Sequence, residues 1–188
     1  MTKTNMSSID ALLTHSFFLR FDEKQWQTMQ PYAPLGTLYA AAHLRQLGYE
    51  VAVHDTMLAE STQSFETVVA ETQPAVVILH EDNFNWLSKM CLTRMREAGF
   101  EMMRTAKADA SRPVVVAGSD VTDHPELYFQ HQADVAIVGE SELTLEELLP
   151  HLKEEGKSIL DSVHGLALVA DGNIKRTPPR GYQKELDQ

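Results

Sequence analysis

A single cysteine stands among the 188 residues. That excludes a disulfide framework, an all-cysteine zinc site and any iron–sulfur cluster held by this chain alone. Cations are also scarce, with 16 Lys plus Arg against 27 Asp plus Glu and a formal charge of −11. Nonspecific nucleic-acid binding and adhesion to anionic membranes need clustered Lys and Arg, so neither partner is expected. No apolar run approaches the roughly 20 residues of a membrane helix. The stretch Ala11-Leu12-Leu13-Thr14-His15-Ser16-Phe17-Phe18-Leu19 superficially matches a signal-peptide core. His15 breaks it, Arg20 and Asp22 follow, and no small-residue cleavage pattern is present. The expected location is the cytoplasm.

Several catalytic motifs are missing as well. No Gly-x-Gly-x-x-Gly follows a strand, so a nicotinamide or flavin site of that type lacks support. Gly156-Lys157-Ser158 looks like the end of a phosphate loop, but His151 stands where the first glycine belongs. His-Glu-x-x-His and Gly-x-Ser-x-Gly are absent, and the eight histidines are scattered.

What is present is alternation. Residues 9–14, 50–55, 75–79, 113–117 and 134–138 read as strands, the third as a continuous apolar run suited to a covered parallel strand. Helices are expected between them. One spans 34–47, with Pro34 at its start, Gly48 as terminator and Leu35, Leu38, Tyr39 and Ala42 as its inward stripe. A second is capped by Ser61 or Thr62, carries Phe65, Val68, Val69 and Thr72 on one face, and stops at Pro74. A third runs from 85 to 107 with Leu87, Cys91, Met95, Ala98 and Met102 along one side. Cys91 then belongs to the core, and Arg94, Arg96 and Arg104 to a solvated face. A short helix covers 125–130, and Thr144 to Glu147 fits a capping box before Leu145, Leu148, Leu149 and Leu152. Residues 165–169 and 174–177 flank Asp171-Gly172 as a hairpin, and Pro178-Pro179-Arg180-Gly181 reads as linker.

The fold class is therefore α/β: a Rossmann-like or flavodoxin-like five-stranded parallel sheet with helices on both faces, plus a C-terminal β-hairpin. The division is a domain over 1–160, with hairpin and linker over 161–188. Ligands of such sheets bind beyond the carboxyl ends of the strands. The informative segments are 14–36, 80–86, 118–124 and 139–143. After the fourth strand, Gly118, Ser119, Asp120, Val121 and Thr122 offer a close backbone approach with two hydroxyls, Ser119 and Thr122, beside it. After the fifth, Gly139, Glu140, Ser141 and Glu142 do so at a helix start, where unpaired N–H groups gather. Each glycine alone is most simply a tight turn. His80-Glu81-Asp82 is most simply a solvated loop.

Pro34-Leu35-Gly36, then Leu44-Arg45-Gln46-Leu47-Gly48-Tyr49-Glu50-Val51, then Asp55 form an ordered set. Val116-Ala117-Gly118-Ser119-Asp120-Val121-Thr122 and Asp134-Val135-Ala136-Ile137-Val138-Gly139-Glu140-Ser141-Glu142-Leu143-Thr144 continue it, as do the hairpin and Pro178-Pro179. Together they resemble the N-terminal cobalamin (B12)-binding domain of B12-dependent radical S-adenosylmethionine enzymes, over nearly the whole chain. Two positions depart from the family's pattern: Ser119 stands in place of a second glycine, and Ser141 in place of the glycine in Gly-Glu-Gly-Glu.

The resemblance implies cobalamin as the cofactor, bound by Thr14, His15, Ser16, Leu35, Gly36, Glu81 and Asn83 together with the two glycine segments. The nucleotide tail would enter a slot between the first and fourth strand ends, lined by Gly118, Ser119, Gly139 and Ser141. Phe17, Phe18, Phe21, Trp26 and Tyr32 would cover one corrin face or pack against another domain. S-adenosylmethionine and a [4Fe-4S] cluster would belong to a radical barrel, in cis or in trans, since the chain has no Cys-x-x-x-Cys-x-x-Cys. By this reading the chain is an N-terminal domain or a free-standing relative, not catalytic alone, and methyl transfer or related radical chemistry belongs to the full protein. Asp-x-His-x-x-Gly is absent. His15 is then the nearest candidate for a lower cobalt ligand, against the plainer reading of a polar loop histidine. Two rivals stand beside this one. The first is a flavodoxin-like or receiver-like interaction domain without cobalamin, docking through the Met-rich third helix. The second is a small hydrolase using His80, Glu81 and Asp120.

Overall fold

The computed structural model describes residues 8–81, 92–152 and 160–182. Its strands are β1 (Ala11–Thr14), β2 (Val51–His54), β3 (Val76–Glu81), β4 (Val114–Gly118), β5 (Val135–Ile137), β6 (Leu166–Ala170) and β7 (Asn173–Arg176). They form one sheet in the order β2-β1-β3-β4-β5-β6-β7. The first five are parallel, as expected. The hairpin does not stand apart: β6 pairs antiparallel with β5, through Ala136↔Ala167 and Ile137↔Leu166, so the sheet has seven strands rather than five. Asp171 and Gly172 at its tip take φ of 51° and 76°, the left-handed pair that a two-residue hairpin requires.

The helices are α1 (Glu23–Thr28), α2 (Leu35–Gln46), α3 (Gln63–Thr72), α4 (Leu92–Ala106), α5 (Ser119–Asp123), α6 (Pro125–Gln130) and α7 (Glu142–Leu152). Period-two alternation splits the strands between two cores. Leu13, Ile78, Val115 and Ile137 face α2 and α7, packing on Ala40, Ala41, Leu44, Leu145 and Leu148. Leu12, Val77, Leu79 and Val116 face the other layer, with Phe65 and Val69 of α3, Met102 and Met103 of α4, and Tyr128 of α6. The methionines of α4 are thus core and not a docking surface.

Four local expectations are corrected. The inward face of α2 is Thr37, Ala40, Ala41 and Leu44, while Leu35, Leu38 and Tyr39 are exposed. Small side chains let this helix lie close over the bulky strand residues, so the larger stripe turns outward. Thr144 is no cap: α7 begins at Glu142, and from inside the helix the Thr144 hydroxyl donates back to the carbonyl of Glu140, just before it. Residues 15–34 contain α1, capped where Asp22 accepts from the Gln25 N–H, and they carry Phe17 and Phe18 into the core against Met57, Met95 and their neighbours. Those two rings are closed to any ligand; Tyr32 is exposed. Lastly, Ser119 to Asp123, between the fourth strand and the helix expected over 125–130, form a short helix of their own, α5. Leu87, Cys91 and Asn83 lie outside the described residues.

Candidate functional site

The strand order reverses between β1 and β3, where the fold would ordinarily place its crevice. Here that position is filled. Ser16 donates to Oε2 of Glu81 at 2.8 Å, both side chains are buried, and Gly99 of α4 lies so close that a Cβ there would sit 2.9 Å from Oε1. Toward β2 the polar side chains saturate one another. Thr14 Oγ1 donates to the His54 carbonyl at 2.9 Å, and the Thr56 hydroxyl to the His15 carbonyl at 2.9 Å. His15 has no solvent exposure. The Phe17 N–H donates to its Nδ1, so Nε2 carries the proton and donates to Asp55 Oδ1 at 2.9 Å. Neither nitrogen is left for cobalt. The bond from His15, more than any other influence, holds the Asp55 carboxyl below its ordinary range, and burial holds His54 below its own.

The open space lies two strands further on. A slot of about 380 Å³ is lined by Gly36 at the start of α2, His80 of β3, Gly118 at the tip of β4, and Ser119, Thr122 and Asp123 of α5. Gly139 to Glu142, between β5 and α7, and Tyr182 complete it. Three larger hollows, of about 590, 650 and 530 Å³, lie between α3 and α4, at the amino ends of β4 and β5, and along the outer side of α7 beside Arg180. None of the three meets the carboxyl ends of the five parallel strands.

The two glycines of the slot have different reasons to be glycine. At Gly118, φ is +118° and an added Cβ would stand 1.9 Å from the Glu81 carbonyl oxygen. That glycine accommodates the neighbouring strand, not a ligand. At Gly139, φ is +89° and nothing lies within 4 Å of the Cβ position, so the bare backbone faces open space. Thr122 ties the two tips together: its hydroxyl donates to the Gly118 carbonyl at 2.9 Å and accepts the Gly139 N–H at 3.1 Å. His80 Nε2 lies 3.1 Å from the Ser141 hydroxyl, and its ring packs flush on Gly36. The Ser119 hydroxyl makes no hydrogen bond among the described residues and remains available.

Behind the slot, Asp120 is 3% exposed and points away from it. Arg96 grips it with two bonds of 2.8 and 2.6 Å, and the Tyr128 hydroxyl adds a third at 2.7 Å. Burial pushes the Asp120 carboxyl upward, but the bonds from Arg96 and Tyr128 outweigh it and hold the group below its usual range. Burial and the nearby Glu81 and Asp120 charges raise the Tyr128 phenol. Arg96 is therefore the half-buried partner of a buried carboxylate and not part of a solvated face. Asp120, spoken for by two partners, is unsuited to the hydrolase reading.

Of the residues singled out in the sequence, Gly36, Gly118, Ser119, Gly139, Glu140, Ser141 and Glu142 meet in the slot. Thr14, His15, Ser16, Leu35, Glu81, Asp120 and Val121 do not line it, so it opens between β3, β4 and β5 and not between β1 and β4. Thr122, the second hydroxyl read after the fourth strand, lines it too, and Asp123 and Tyr182 join it without having been named as candidates. For Asp123 the available signal was a helical i, i+4 relation to Ser119; for Tyr182 there was none. Among the described residues, no three His, Cys, Asp or Glu are grouped to hold a metal, and no helix is long and apolar enough to cross a membrane.

A doubly wound sheet with a slot at its carboxyl edge is the frame of a small-molecule-binding domain. Residues 29–149 match the family model of the B12 binding domain, and the chain belongs to that family. Solved structures agree on the fold. The cobalamin-dependent S-adenosylmethionine radical enzyme OxsB, with aqua-cobalamin and S-adenosylmethionine bound, superposes with a TM-score of 0.69 at 19% identity, over 94% of this chain and 23% of its own. The radical S-adenosylmethionine methyltransferase TsrM from Kitasatospora setae, with cobalamin and a [4Fe-4S] cluster bound, gives 0.62 at 18% identity, over 97% and 31%. The chain thus spans a quarter to a third of the length of those enzymes. No curated protein matches it.

Proposed function

We propose that this chain is the cobalamin-binding module of a B12-dependent radical S-adenosylmethionine enzyme, working with a catalytic barrel in cis or in trans. The family match over 29–149 carries the reading. The lining of the slot supports it on chemical grounds. The charged residues there are Asp123, Glu140 and Glu142, with no Lys or Arg among them. A free nucleotide or phosphate would be repelled by such a rim. Cobalamin fits: its corrin is fringed with amides that donate to carboxylates, and its single phosphodiester is offset by the cobalt charge. The volume, about 380 Å³, suits a small-molecule group such as the nucleotide tail. In this scheme the bare backbone at Gly139 and the free Ser119 hydroxyl receive the tail, and Glu140 and Glu142 accept from corrin amides. When bound, the cofactor supplies cobalt–carbon chemistry; this chain's residues bind and orient it. The receiver-like alternative gains nothing from the family match.

The test is retention. Mixed with hydroxocobalamin and desalted, the protein is expected to keep corrin absorbance at about one equivalent per chain. Ser119→Trp, filling the slot from a half-buried helix start, is expected to lose it with an unchanged circular dichroism spectrum. A colourless parent protein would overturn the assignment. A Ser119→Trp variant that binds as the parent does would overturn the placement of the cofactor.

A further inference from the structure

We propose that residues 177–182 form a fixed strap that holds Tyr182 at the mouth of the slot as an aromatic contact for the bound cofactor. The inference rests on the reading of the slot as a cobalamin site. Pro178-Pro179-Arg180-Gly181 has the composition of a linker, and a linker would leave its backbone to solvent. This segment is instead tied to the domain at Thr177, at the Pro178 carbonyl and through the Arg180 side chain. The Thr177 hydroxyl accepts the Leu166 N–H at 2.9 Å, and the Thr177 N–H donates back to the Leu166 carbonyl at 2.9 Å. The Gly165 N–H donates to the Pro178 carbonyl at 2.8 Å. Arg180 then bonds the Thr144 hydroxyl at 2.9 Å, pairs with Glu147 and reaches the His164 carbonyl at 3.4 Å. Thr144 and Glu147 belong to α7, the helix whose first residue, Glu142, lines the slot.

Gly165 makes the fit possible. With φ at +79°, it sits where an added Cβ would be 3.0 Å from the Thr144 hydroxyl and 3.3 Å from Arg180 Cβ. Three neighbouring residues of the strap are thereby anchored to a strand, a corner and a helix. Ordering such a stretch forfeits backbone and arginine side-chain entropy, which the anchors must offset. The outcome of that ordering is the position of Tyr182: the residue is 83% exposed, yet it forms part of the slot lining. A lone exposed aromatic needs no explanation. An aromatic delivered to a cavity mouth by an anchored strap, beside an acidic rim that accepts from amides, does. Next to the lining Gly36, Leu35 is 58% exposed and adds apolar ground. A flat ring on one side and carboxylates around it match a ligand with a broad apolar face and an amide fringe.

Tyr182→Ala is expected to weaken hydroxocobalamin binding about tenfold, read as faster release on dialysis. Its melting temperature should stay within about 2 °C of the parent, since the side chain packs on little. Tyr182→Phe is expected to restore parent binding, because the ring and not the hydroxyl makes the contact. Arg180→Gln is expected to weaken binding as Tyr182→Ala does, although Arg180 itself does not line the slot. Parent-like binding by Tyr182→Ala overturns the strap proposal and leaves the slot reading standing. Failure of Tyr182→Phe to rescue overturns it too. A parent protein that binds no hydroxocobalamin overturns both.

Discussion

The corner between β1 and β2 and the slot between β3, β4 and β5 are made of the same material: polar residues just past the ends of parallel strands. One is closed and the other open. In the corner, Thr14, His15, Thr56 and Asp55 satisfy one another, and His15 has no exposure. In the slot, a side chain is missing where one would close it, at Gly139, and the Ser119 hydroxyl is left over. A strand-end rule supplies positions; whether a position becomes a site depends on whether its side chains find partners within the protein. The glycine that matters to a ligand is then the one whose Cβ would meet nothing.

The sharpest way to break this contrast is to place a methyl group at each glycine. Gly118→Ala, driven against the Glu81 carbonyl, is expected to cost about 4 kcal/mol or more in urea unfolding. Gly139→Ala carries only the left-handed backbone penalty of about 1–2 kcal/mol. Equal losses would refute the distinction.

Next in size is Asp120→Ala, which strands Arg96 behind the slot and is expected to cost about 3 kcal/mol. Its pH signature sharpens the test. The folded Asp120 carboxyl is held below its ordinary 3.8, so its contribution is complete above that pH and disappears as acidification passes through the depressed folded value. The variant should lose that part of the acid limb in urea midpoints measured below about pH 4.

The smallest effect is expected in the closed corner. Burial disfavours charged His54, so the unfolded chain takes up the proton first as pH falls below 6.5, and stability declines. His54→Gln should flatten the curve between about pH 7 and 5 and change little at about pH 8. A slope unchanged by the substitution would show that the corner is looser than its hydrogen bonds indicate.

The parallel sheet was legible because apolar runs such as Val76 to Leu79 and Val114 to Ala117 are too short for helices and too continuous for a half-exposed strand. The hairpin was legible from Asp171-Gly172, but not its pairing with β5, since a register between distant strands leaves no local mark. The α2 face was misread because both of its sides are apolar; periodicity locates a stripe but does not rank small residues against large ones. Half of the slot followed from the glycine turns. The rest did not: the use of Gly118 against Glu81, the grip of Arg96 on Asp120 and the arrival of Tyr182 all depend on contacts between segments far apart in the chain.

The antiparallel pair at the edge of the sheet has a directional consequence. One added strand would deliver the chain to the amino ends of β1 to β5, some 17 Å from the slot at about 3.3 Å per residue. A second strand cancels the reversal: β7 runs with the first five, and Arg176 emerges beside α5, where it donates to the Thr122 carbonyl at 3.0 Å. The parity of the hairpin thus returns the polypeptide to the rim from which its ligand would be approached.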